Sequence, residues 1–127
     1  MREEKFSFPA QTEYLEKLGE FLKQSCDDEK MLPLIELVAA EVVVNAIRHG
    51  AARRFEVIIR NDGVSCWLEV IDDGKPFNVL ETEPLPLGVL REGGYGLGIL
   101  HAVAQNLAYE RRTNRNHLTI TFTEGAS

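Results

Sequence analysis

The apolar positions of the chain change spacing several times, and each change marks an element. Phe6 and Phe8 alternate with polar neighbours, which predicts a strand over Lys5 to Phe8 that Pro9 stops. From Gln11 to Cys26 the spacing becomes helical. Tyr14, Leu15, Leu18, Phe21 and Leu22 fall on one side, and Glu13, Glu16, Lys17, Glu20 and Lys23 fall mostly on the other. Asp27 and Asp28 end that helix and can cap the next. The next runs from Leu34 to His49, is closed by Gly50, and is apolar around most of its circumference, so it belongs in a core. Arg54 to Arg60 and Ser65 to Ile71 read as strands, with Asn61-Asp62-Gly63 as a hairpin turn between them.

Asn78 to Glu92 has weak periodicity and contains Pro84, Pro86 and Gly88. It reads as a loop, and a loop this long in a compact domain is usually functional or disordered. Ile99 to Leu107 reads as a third helix. Tyr109 to Arg112 and Leu118 to Phe122 read as two further strands about a turn at Asn114 to Asn116. Thr119 and Thr121 alternate with Leu118, Ile120 and Phe122, so one face of that strand is buried and the other wet. The sum is roughly five strands in a mixed, mostly antiparallel sheet, covered on one face by three helices. That is an α/β two-layer sandwich, in one domain spanning residues 1–127.

Composition changes this picture little. Hydrophobic content of 44% and charged content of 27% are ordinary for a globular protein. The net charge of −6 argues against direct nucleic-acid binding and against an acidic membrane surface. Arg111, Arg112 and Arg115 form either a local basic patch or, more simply, a solvated strand end. Cys26 and Cys66 have no CxxC partner and read as reduced packing thiols. No apolar leader follows the N-terminus, and Glu36, Glu41 and Asn45 break the most apolar run, so a membrane span is not expected. The expected location is cytoplasmic.

Three stretches carry candidate chemistry. In the central helix, Glu41, Asn45 and His49 recur at intervals of four and so share a stripe among apolar neighbours. A buried carboxylate beside a buried amide calls for a polar partner. Glu41 suits a proton acceptor, and the Asn45 oxygen suits Mg²⁺, a hard ion that usually keeps substrate phosphates in its shell. Second, Asp72-Asp73-Gly74 stands where a strand ends. A carboxylate there can accept a hydrogen bond from an exocyclic amine, although Asp-Gly is also an ordinary turn. Third, Gly94-Tyr95-Gly96-Leu97-Gly98 opens a helix. It suits either phosphate binding at a helix N-terminus or a flexible turn. It is neither a P-loop nor a dinucleotide fingerprint.

Taken in order, Glu-x-x-x-Asn, Asp-x-Gly and Gly-x-Gly-x-Gly resemble the Bergerat ATP-binding fold of gyrase, the ninety-kilodalton heat-shock chaperone, histidine kinases and MutL. Within that superfamily the chain looks most like the bacterial anti-sigma-factor serine kinases. Ala40 to His49 is similar to their asparagine box, Ile71 to Phe77 to their first glycine box, and Arg91 to Leu100 to their second. Tyr109 and Asn116 to Phe122 fit their last hairpin. Lys75-Pro76 stands where many relatives have glycine, and Tyr95 where several have Arg or Leu.

The resemblance implies ATP and Mg²⁺ as ligands. Asn45 would hold Mg²⁺ against the phosphates, and Glu41 would orient and deprotonate the attacking hydroxyl. Asp72 would bind the adenine amino group with Gly74 beneath the ring. Gly94, Gly96, Leu97 and Gly98 would wrap the phosphates, Arg91 would offset γ-phosphate charge, and residues 78–92 would be the lid. The implied substrate is a serine on a STAS-fold antagonist, with an RNA polymerase sigma factor and a homodimer as further implied partners. A histidine kinase would need a dimerising helix pair bearing a phosphoacceptor histidine ahead of Lys5. The reading from a different class is a protein-interaction module that holds ATP without transferring phosphate.

Overall fold

The computed structural model describes residues 2–26, 29–76 and 107–123. The chain begins with strand β1 (Arg2–Pro9), which leads through a 3-10 turn (Thr12–Tyr14) into helix α1 (Leu15–Ser25). Helix α2 (Leu32–Gly50), β2 (Arg54–Asn61) and β3 (Ser65–Asp72) follow, and β4 (Leu107–Arg112) and β5 (Arg115–Thr123) close the described chain. The five strands form one sheet in the order β1-β2-β3-β5-β4. Each pairing is antiparallel. The expected third helix lies outside the described residues.

The register explains why one face is dry. Val57, Val70 and Leu118 lie side by side across β2, β3 and β5, and so do Ile59, Leu68 and Ile120. All six are buried. Leu18 and Leu22 of α1 and Ile35, Val38, Ala39, Val42, Val43 and Ala46 of α2 complete this core. Phe6, Phe8, Phe21 and Phe55 stack at its edge, with centroid spacings from 5.2 to 5.4 Å. Cys26 and Cys66 are buried and share no disulfide, as the sequence suggested. The opposite face carries polar ladders. There Glu69 accepts from Arg60 at 3.2 Å and lies 3.2 Å from His117 Nδ1.

Several boundaries differ from expectation for local reasons. β1 and β5 are longer, because pairing with β2 and β3 recruits polar residues that periodicity does not mark. α2 starts at Leu32 with Pro33 in its first turn, where a missing N–H is harmless. Its left-handed cap residue is Ala51 (φ 52°), with Gly50 still helical. The last hairpin turns on Thr113 and Asn114, both at positive φ, rather than on Asn114 to Asn116. Leu107 begins β4 instead of ending a helix.

The strand order brings two polar residues together within the buried face. Asp72 of β3 and Asn116 of β5 are register partners, and both are buried. They sit at the end of the sheet nearest the C-terminus of α2, where Lys75 N–H donates to the Gly50 carbonyl at 2.6 Å.

Candidate functional site

Glu41 and Asn45 stand one turn apart on α2. The Asn45 side-chain nitrogen donates to the Glu41 backbone carbonyl at 2.7 Å and to its carboxylate at 3.2 Å. Both partners are acceptors, so the amide must face them with its nitrogen. Its Oδ1 is then left with no hydrogen bond among the described residues. Asn45 is 6% exposed, and no buried polar atom of the described residues lacks a partner, so that oxygen reaches the surface. Glu41 is half-buried. Burial pushes its carboxyl above the usual glutamate range, against the pull of the Asn45 hydrogen bond and the Arg48 charge. His49, the third residue of the stripe, is exposed. Four-residue steps drift by about 40° on a helix, enough to carry the stripe from core to solvent over two turns.

The second centre is the turn after β3. Asp72 Oδ1 accepts from Gly74 N–H at 2.9 Å and from Asn116 Nδ2 at 3.0 Å. Its other oxygen makes no hydrogen bond among the described residues and, by the same count of buried atoms, reaches the surface. Gly74 has a tight neighbour. A Cβ there would sit well inside contact distance of the Gly50 carbonyl, and 3.0 Å from Asp72 Oδ1. The glycine is therefore required by the packing of the turn on the end of α2, whatever ligand lies above it.

Asp73 does a different job from its neighbour. Its Oδ1 accepts from the backbone N–H of Arg53 at 2.7 Å and of Arg54 at 3.0 Å, tying the turn to the start of β2. Slight burial works to raise its pKa, but these N–H groups and the Arg53 charge outweigh it and hold the carboxyl below the usual aspartate range. A depressed folded pKa adds stability above the unfolded pKa, and that stability is lost as pH falls through the folded value. Asp73→Ala should therefore destabilise by about 1 kcal/mol at pH 7, a low figure because the site is mostly exposed. The gap from the wild type, followed by denaturant unfolding, should close as pH drops below roughly 4.

The structure thus brings Asp72 and Gly74 into one turn, and Glu41 and Asn45 into one pair on the adjoining helix. Arg91, Gly94, Gly96, Leu97, Gly98 and the expected lid over 78–92 lie outside the described residues. Sequence reasoning missed Asn116, Arg111 and Asp73. Arg111 is exposed, as a solvated strand end would be, but it is also tied down. Its guanidinium donates to the Gly74 carbonyl at 2.7 Å and to Asn116 Oδ1 at 3.2 Å. No signal in the sequence singles out these residues, because their partners lie 19 to 44 positions away or only become neighbours in the sheet.

The donor set fits the expected ligands. Asp72 offers a surface-reaching carboxylate oxygen to an amine, and Asn45 offers a hard amide oxygen to Mg²⁺. Among the described residues no three His, Cys, Asp or Glu side chains come together as a metal cage. A metal held through Asn45 would thus arrive with the phosphates of its ligand. No helix of the described residues is long and apolar enough to cross a membrane.

Comparison with known proteins agrees with this fold. No curated protein matches the sequence. Among solved structures, the Acinetobacter baumannii histidine kinase AdeS aligns over 98% of this chain and 70% of its own, with a TM-score of 0.52 and 18% identity. That likeness is one of fold. The profile of the histidine kinase-like ATPase domain matches residues 8–122, from the end of the first strand to the end of the last. The chain therefore belongs to the histidine kinase-like ATPase domain family, a GHKL-type fold that binds ATP.

Proposed function

We propose that the chain is an ATP- and Mg²⁺-dependent protein serine kinase of the anti-sigma-factor type, acting on a serine of a STAS-fold antagonist. The observation that carries the reading is the Glu41–Asn45 pair. A carboxyl raised by burial and held by a neighbouring amide is a proton acceptor in place, and that amide keeps its oxygen for a hard metal ion.

In this reading Glu41 takes the proton from the serine hydroxyl. The serine oxygen bonds to the γ-phosphorus as the bond from that phosphorus to the β–γ bridging oxygen breaks, and ADP leaves. Asp72 accepts the adenine amine, with Gly74 below the ring. Bound Mg²⁺, held by Asn45 and the phosphates, supplies charge neutralisation. Gly94, Gly96, Leu97 and Gly98 wrap the phosphates and Arg91 offsets their charge, roles that rest on sequence resemblance. Transfer of this kind needs mainly positioning and charge stabilisation, so a short residue list suffices. A sigma factor and a second copy of the chain are the further proposed partners, in the cytoplasm.

The direct test is transfer of labelled γ-phosphate to a serine of a STAS-fold antagonist in Mg²⁺. Asn45→Ala should weaken ATP binding in Mg²⁺ by roughly tenfold or more, and narrow the difference between titrations with Mg²⁺ and with chelator. Equal affinity with and without Mg²⁺ in the wild type would remove the metal role from Asn45.

A further inference from the structure

The buried end of the sheet carries more polar machinery than a turn requires. Asn116, on β5, is 3% exposed. Its Nδ2 donates to Asp72 Oδ1 at 3.0 Å and to the Lys75 carbonyl at 2.7 Å. Its Oδ1 accepts from the Tyr109 hydroxyl and from Arg111 Nη1. The amide has only one orientation that works, since turning it over would set donors against donors on one side and acceptors against acceptors on the other. Arg111 holds the far end by donating to the Gly74 carbonyl. The last hairpin therefore grips the Asp72 turn at three points: the carboxylate of Asp72, the carbonyl of Gly74 and the carbonyl of Lys75.

From this arrangement we propose that Asn116 is the positioning residue for Asp72 and sets which base the site accepts. The inference rests on the reading of Asp72 as the acceptor for adenine. Two donors occupy Oδ1, so the carboxylate cannot rotate without breaking a hydrogen bond to Gly74 or Asn116. The other oxygen is presented alone, at a fixed place, as an acceptor. An amine on the base satisfies it. A carbonyl at the same ring position places acceptor against acceptor and leaves a buried group unpaired, which is how polar sites reject near-identical ligands. Tyr109 and Arg111 act one step further back, through Asn116.

The test compares ATP with inosine triphosphate, which carries a carbonyl in place of the 6-amino group, by calorimetric titration of the intact chain in Mg²⁺. The wild type should prefer ATP. Asn116→Ala frees the carboxylate to turn, and the ATP-to-inosine preference should shrink by roughly tenfold, beyond any common loss of affinity. Tyr109→Phe removes one hydroxyl behind Asn116 and keeps the ring. It should shrink the preference by a few-fold in a protein that melts near the wild type, which covers the case in which Asn116→Ala folds poorly. A bracing role confined to stability would weaken both nucleotides alike and leave their ratio unchanged, and that result in both variants would overturn the proposal. Asp72→Ala separates the two levels. A collapsed preference there with an unchanged one in the Asn116 and Tyr109 variants sinks the positioning role alone, whereas an unchanged preference in Asp72→Ala removes the adenine reading itself.

Discussion

Glu41→Gln should slow phosphoryl transfer by orders of magnitude while leaving Mg²⁺-ATP affinity within a few-fold of the wild type. Glutamine keeps the length of the side chain and can still accept from Asn45 Nδ2, so the pair that orients Asn45 survives. What it loses is the ability to take a proton. A positioned general base contributes about 10²- to 10⁴-fold, and the loss in single-turnover transfer should fall in that range. In the wild type the same rate should decline as pH falls through the raised Glu41 pKa, because protonation there removes the base. The variant's residual rate should lack that limb.

Stability supplies an independent check with the opposite sign. A carboxyl whose folded pKa is raised binds its proton more tightly in the native state than in the unfolded one. Between the two pKa values stability falls as pH rises, so the ionised Glu41 is a net burden at neutral pH. Glu41→Gln should thus melt at or slightly above the wild-type temperature. A variant that transfers phosphate at the wild-type rate would end the role of Glu41 as base. A variant that loses transfer but regulates its partner normally would instead make the chain a nucleotide-holding interaction module.

The elements were easier to read from sequence than the connections between them. Apolar spacing located all five described strands and both described helices, because burial of Val57, Leu68, Ile120, Val42 and their neighbours is what makes those elements pair. The Glu41–Asn45 pair was visible for the same reason, since two polar residues one turn apart in an apolar helix are an exception that must be accounted for. The brace behind Asp72 was not visible. Asn116 and Asp72 are 44 positions apart and become neighbours only when β5 pairs with β3. Asp73, adjacent to the candidate ligand residue, looks equivalent to it in sequence. Only the folded chain tells them apart: Asp73 ties the turn to the backbone N–H groups of Arg53 and Arg54, whereas Asp72 bonds within the turn and to Asn116. Element ends were misplaced wherever pairing, rather than periodicity, sets them, as at Leu107 and Arg115.

Gly74→Ala is expected to damage both stability and nucleotide binding, and a matched substitution at Gly19 isolates the cause. At Gly74 an added methyl meets the Gly50 carbonyl well inside contact distance and Ala52 N at 3.1 Å. Both are backbone atoms at the end of α2, so neither can swing aside as a side chain would. The turn must move away, which strains the 2.6 Å hydrogen bond from Lys75 N–H to Gly50 and shifts Asp72 with it. Overpacking of this kind destabilises by about 1–3 kcal/mol. Gly19, in the interior of α1, has nothing within 4 Å of the same methyl. There alanine removes only the flexibility of glycine in a helix and should stabilise by about 1 kcal/mol, with ATP affinity unchanged. Denaturant unfolding and ATP titration of the two variants should therefore move in opposite directions on stability and diverge on binding. If Gly74→Ala keeps wild-type stability and affinity, the turn is not seated on the end of α2 as described. The link between the helix that carries Glu41 and Asn45 and the turn that carries Asp72 would then have to be drawn elsewhere.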